Sequence, residues 1–73
     1  MNKLDLHGVK HENVTREIDN FLWECMNKKV TQVEIITGNS SIMKELVSSC
    51  ISEYGFYENP HFTREGSVLI DLT

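Results

Sequence analysis

Polar and apolar residues alternate from Lys3 to His7, with Leu4 and Leu6 on one side and Asp5 and His7 on the other. A period of two is the pattern of a strand with one buried face, and Gly8 ends it. The period then lengthens. Val14, Ile18, Phe21, Leu22 and Cys25 form one stripe at helical spacing, which predicts an amphipathic helix from about His11 to Lys28. Lys28 and Lys29 suit the negative C-terminal end of such a helix, whereas its start carries no clear capping signal. Val30 to Thr37 is rich in β-branched residues and predicts a second strand, broken by Thr37-Gly38-Asn39-Ser40. Asn39, Ser40 or Ser41 can cap a second helix that runs to about Tyr54. It turns Met43, Leu46, Val47, Cys50, Ile51 and Tyr54 inward and stops at Gly55.

Gly55 to Phe62 reads as a third strand, and Pro60 assigns it to a sheet edge because proline cannot donate to a ladder. Ser67 to Leu72 is a fourth strand, whose run Val68-Leu69-Ile70 suits an interior position. The hairpin-like connection Thr63-Arg64-Glu65-Gly66 should make these two strands antiparallel. The order βαβαββ predicts an α/β fold, a two-layer sandwich of a mixed four-stranded sheet with two helices on one face. Leu4 and Leu6 should then face the helices, and Asp5 and His7 the open side.

Length and composition narrow what such a fold can do. The chain has 73 residues, enough for one core and one domain spanning residues 1–73, with little room for a large cofactor. No cofactor is expected. Apolar residues make up 40% and charged residues 25%, and no run approaches the roughly 20 apolar residues of a membrane span. The opening Met1-Asn2-Lys3-Leu4-Asp5 has an acidic residue where a signal peptide needs apolar ones, so a cytoplasmic protein without membrane contact is expected. Cys25 and Cys50 lie in no metal or redox spacing and read as reduced core residues. The net charge of −4 argues against non-specific grip on DNA and confines any nucleic-acid contact to a local patch.

The candidate chemistry lies at the end of the first strand. Residues i and i+2 share a face about 6.5–7 Å apart, so Asp5 can reach His7. A carboxylate beside an imidazole fixes its tautomer and suits proton transfer near neutral pH. The plainer reading is two polar residues on a solvated strand face. Two features favour chemistry. Parallel strands bring His7-Gly8 and Thr37-Gly38 to one sheet edge, where ligands of open α/β sheets bind. The N-terminus of the second helix, around Asn39 to Ser41, offers free N–H groups to a phosphate, or serves as an ordinary turn and cap. A third strand parallel to the first two would deliver His61 and Arg64 to the same edge. There Lys10 and Lys44 would complete a basic rim, unless these cations are simply dispersed. No metal cluster is evident beyond Asp5 and His7, and none is expected.

Together Leu4-Asp5-Leu6-His7-Gly8, Ile35-Ile36-Thr37-Gly38 and Gly66-Ser67-Val68-Leu69-Ile70, with a helix after each of the first two, resemble the Smr domain, the small MutS-related domain. The resemblance covers nearly the whole chain. It implies a βαβαββ fold and endonuclease activity on DNA or RNA, including messenger RNA on stalled ribosomes. The family's acidic-x-His motif falls on Asp5, Leu6 and His7. Its Gly-x-Gly turn falls on Thr37, Gly38, Asn39 and Ser40, with Ser40 replacing the last glycine.

The resemblance makes a phosphodiester the expected target and Asp5 and His7 the expected catalytic pair, and the residues permit His7 to move the proton of the attacking hydroxyl while Asp5 orients it. Lys10, Thr37, Gly38, Asn39, Ser40, Lys44 and Arg64, gathered at the same sheet edge, are the expected substrate-binding residues. RNA is favoured over DNA because its own 2′-hydroxyl can attack without a metal. The alternative is a binding module without turnover, in which the same edge holds RNA, a ribosomal surface or a protein. Trp23 lies opposite the buried stripe of the first helix, where it either anchors a partner, a second copy of the chain included, or packs along its own helix beside Arg16 and Asn20.

Overall fold

The computed structural model describes residues 2–62 and 64–72. Thr63 of the expected hairpin connection, and the terminal residues Met1 and Thr73, lie outside the described residues. The elements are β1 (Asn2–Asp5), α1 (His11–Asn27), β2 (Gln32–Ile36), α2 (Ser41–Tyr54), β3 (Tyr57–Glu58) and β4 (Ser67–Asp71). Sheet order is β1-β2-β4-β3, with β1 parallel to β2 and with β4 antiparallel to both β2 and β3. β3 therefore runs parallel to β1 and β2, and it lies at the edge with β4 interior, the two places that the sequence predicts.

The register sorts the side chains. Leu4 pairs with Ile35, Ile35 with Val68, and Val33 with Ile70, which puts these five on one face. Leu6, Val33, Ile35 and Ile70 form one core with Val14, Ile18, Leu22 and Cys25 of α1 and Met43, Val47, Cys50 and Ile51 of α2. Both helices thus cover the same side of the sheet. Each fully buried aliphatic side chain here contributes about 1.5–3 kcal/mol relative to exposure. Tyr54 adds a polar tie between the helices, its hydroxyl donating to Asp19 Oδ1 at 2.7 Å.

Cap chemistry sets the helix limits. The Ser40 hydroxyl accepts the Met43 N–H at 3.1 Å and opens α2, which ends at the left-handed Gly55. α1 begins after Lys10 with no side-chain cap, in keeping with its weak signal in the sequence. It closes where Lys29 N–H donates to the Met26 carbonyl and Val30 N–H to that of Cys25. Val30 is thereby drawn into the helix terminus, so β2 starts two residues later than its β-branched run suggests.

Two strands are shorter than expected. β3 shrinks from the expected 55–62 to Tyr57–Glu58, because Asn59 turns the chain: its side chain accepts the His61 N–H at 2.9 Å and its carbonyl the Phe62 N–H at 3.3 Å. Pro60, inside that turn, offers no N–H to extend a ladder. β1 stops at Asp5 rather than His7, although the Leu6 N–H still donates to the Ile36 carbonyl at 2.8 Å.

The face away from the helices is not uniformly open. Glu34 and Leu69, paired across β2 and β4, both belong to it and both are buried. Among the described residues no helix is long and apolar enough to cross a membrane.

Candidate functional site

Because β1, β2 and β3 are parallel, their carboxyl ends and the start of β4 share one edge, and the connections after all three meet there. The Gly66 carbonyl ties them together. It accepts the Thr37 N–H at 2.8 Å and the Gly38 N–H at 3.0 Å. The Thr37 hydroxyl lies 2.9 Å from the Gly38 carbonyl and 3.3 Å from that of Gly66. Thr37 is only 2% exposed, so its hydroxyl holds the end of β2 to the β3–β4 connection rather than facing a ligand.

Two glycines make this junction sterically possible. Gly38 has φ +68°, and a Cβ there would come within 3.1 Å of His7 Cδ2, so the imidazole rests on the bare glycine backbone. Gly66 requires glycine for a different reason, its left-handed φ of +77°, and it packs on the Gly38 backbone at ordinary van der Waals distance. His7, Gly38 and Gly66 therefore stack in sequence across the edge.

Asp5 and His7 are both exposed and both line one open depression of about 500 Å³. Their contact differs from the expected one. Asp5 Oδ1 accepts the backbone N–H of His7 at 2.9 Å, so the carboxylate fixes the turn that carries the imidazole.

Arg64 and Asn39 also line the depression, as do Lys3 and Glu34. Arg64 Nη1 reaches Glu34 Oε2 at 3.4 Å, with its guanidinium 5.8 Å from the Phe62 ring centroid. Lys3 Nζ lies 4.0 Å from Glu34 Oε1. The sequence reading missed both Lys3 and Glu34. The available signal was an acid inside the apolar run Val33-Glu34-Ile35-Ile36, whose partners only the strand register supplies.

The described lining of the depression does not include Lys10, Lys44 or His61. Lys10 borders a separate shallow hollow with Val9, His11 and Glu12. Lys44 is exposed in the first turn of α2, and His61 lies in the Asn59 turn. The basic rim beside Asp5 and His7 thus consists of Lys3 and Arg64. Ser40 has φ −75°, a conformation open to any residue, and its hydroxyl is engaged in capping α2. This takes up part of the helix's capacity to bind an anion. Trp23 is 60% exposed on α1, away from this edge.

A sheet with a helix layer on one side defines an α/β protein, and its polar depression lies at the carboxyl edge, where such folds usually bind ligands. The family model for the Smr domain matches residues 4–72, and the chain belongs to this family. Membership points to a nucleic-acid-binding or endonuclease-type function. No curated protein and no solved structure matches the chain significantly.

Proposed function

We propose that this domain cleaves phosphodiester bonds of cytoplasmic RNA at the edge shared by the ends of β1 and β2. The observation that carries the reading is the His7 imidazole, seated on Gly38 beside the depression that Arg64 also lines. Its neighbours constrain it on one side and leave the depression open on the other, as a group that must meet a substrate requires.

His7 is the catalytic residue. It takes the proton of a ribose 2′-hydroxyl as that oxygen bonds to phosphorus. The bond from phosphorus to the 5′-oxygen breaks, the leaving oxygen takes a proton from water, and His7 returns its own to solvent. RNA carries this nucleophile and DNA does not, which favours RNA. Asp5 is a positioning residue, because its carboxylate holds the His7 backbone rather than the ring. Arg64 and the loop at Gly38 and Asn39 contact the phosphate backbone. Thr37 and Ser40 support that loop from within.

The test is incubation of the purified chain with labelled single-stranded RNA, duplex RNA and supercoiled DNA, beside His7→Ala and Asp5→Asn. Cleavage of RNA that disappears in His7→Ala is the expected result. A second reading, binding without turnover, is favoured by the Asp5 contact, since among the described residues no carboxylate is hydrogen-bonded to the imidazole. Binding by the wild type with no cleavage, unaffected by His7→Ala, would establish that reading instead.

A further inference from the structure

Glu34 is hard to explain as a structural residue. It sits in the middle of β2 and is only 3% exposed, with Lys3 opposite it on β1 and Leu69 opposite it on β4. Withdrawing a carboxylate from water costs several kcal/mol unless it is paired, and an apolar residue of similar size commonly serves stability as well or better. Its neighbours in the strand, Val33, Ile35 and Ile36, are all apolar. The acid floors the depression that also contains Asp5 and His7.

Its partners share a property. The side chains of Lys3 and Arg64 are 53% and 62% exposed, yet each is near a different oxygen of the same carboxylate, at 4.0 Å and 3.4 Å. Long cationic side chains lose conformational freedom when fixed, and surface ion pairs barely offset that loss. A buried acceptor on a rigid interior strand restrains both. Neither contact is short. A guanidinium carries five N–H donors and an ammonium three, so Glu34 leaves most of them unengaged. Lys3, Glu34 and Arg64 line the same depression as His7, so an anion held by the two cations would lie beside one held at His7.

We infer that Glu34 is a positioning residue that holds Lys3 and Arg64 as a two-cation clamp for the phosphate next to the one at His7. The inference rests on the phosphodiester reading above and adds a second subsite to it. It also extends the substrate path from the sheet edge onto the open face. An acid inside an anion site is otherwise counterproductive, and with Asp5 and Glu65 also lining the depression the role left to Glu34 is to aim Lys3 and Arg64 at a single phosphate.

The experiment measures affinity of the full chain for a labelled 2′-O-methyl RNA oligonucleotide, which resists cleavage by 2′-attack, as a function of salt. Lys3→Ala and Arg64→Ala should each weaken binding and reduce the salt slope by about 1. Glu34→Gln removes a negative charge from the site, so simple electrostatics predicts tighter binding. The clamp predicts the opposite, a loss of about threefold or more, with the Arg64→Ala effect shrinking in the Glu34→Gln background. Glu34→Asp keeps the charge but retracts it by one methylene. It should also weaken binding, and it serves as the test should Glu34→Gln melt early.

Binding by the wild type that is unchanged or tightened in the folded Glu34 variants overturns the clamp alone. So does an Arg64→Ala penalty of the same size with and without Glu34. A wild type that binds no RNA overturns the phosphodiester reading and the clamp together.

Discussion

The Asp5 carboxylate accepts the backbone N–H of His7 at 2.9 Å, so the acid of the Asp-x-His pair acts on the main chain that carries the imidazole. Two residues apart on an extended strand, the side chains could have met directly. The chain leaves the strand after Asp5, and the short carboxylate bridges the turn.

This contact separates two kinds of effect at Asp5. Asparagine retains an oxygen that accepts the same N–H, whereas alanine does not. Asp5→Ala should lower stability by about 1 kcal/mol, and Asp5→Asn by clearly less. Urea denaturation of the two variants checks this. Equal losses would show that charge, rather than the turn, is what Asp5 supplies.

Gly38 bears directly on His7. Alanine at this position faces a left-handed backbone at φ +68° and a Cβ 3.1 Å from the imidazole. Gly38→Ala should cost about 1–2 kcal/mol and shift the His7 ring resonances in NMR spectra. A stability change without movement of His7 would mean that the ring does not rest on this backbone.

Glu34→Val should leave the fold as stable or raise its stability by up to about 2 kcal/mol, because it removes a buried charge from a β-branched strand. RNA affinity should fall in the same variant. A drop in stability of more than about 1 kcal/mol would show that Glu34 serves the fold itself.

Much of the architecture is legible in the sequence because local chemistry specifies it. α2 runs between a capping Ser40 and a terminal Gly55, as its sequence signals indicate, and of the inward stripe of α1 Val14, Ile18, Leu22 and Cys25 are buried while Phe21 is only partly so. β3 is less legible, since the Asn59 turn depends on one side chain accepting from the backbone two residues on. Arg64 reaches the expected edge because β3 is parallel to β1 and β2. Lys10 and Lys44 begin near that edge but do not line the depression, because strand ends fix where a residue starts and not which way its side chain points. Glu34 and Arg64 meet across a separation of 30 residues, and no local pattern encodes that pairing.

Tyr54 gives the fold an alkaline limit. Burial, reinforced by its hydrogen bond to Asp19, pushes its phenol up from 10.0 to about 12. The unfolded chain therefore releases this proton first as pH rises, so the contribution is complete below pH 10 and is lost between pH 10 and about 12. Tyr54→Phe should cost about 1 kcal/mol at neutral pH and flatten the alkaline decline. Denaturation curves across that range, for both proteins, check it. An identical decline in Tyr54→Phe would assign the effect elsewhere.

The most direct test of the account is single-turnover cleavage of a labelled single-stranded RNA by the wild type and by His7→Ala, both shown to be folded. The account predicts fragments ending in cyclic phosphate from the wild type, and a rate lower by about 100-fold or more in His7→Ala. A folded wild type that leaves the RNA intact, or a His7→Ala variant that cuts it at the wild-type rate, would contradict it.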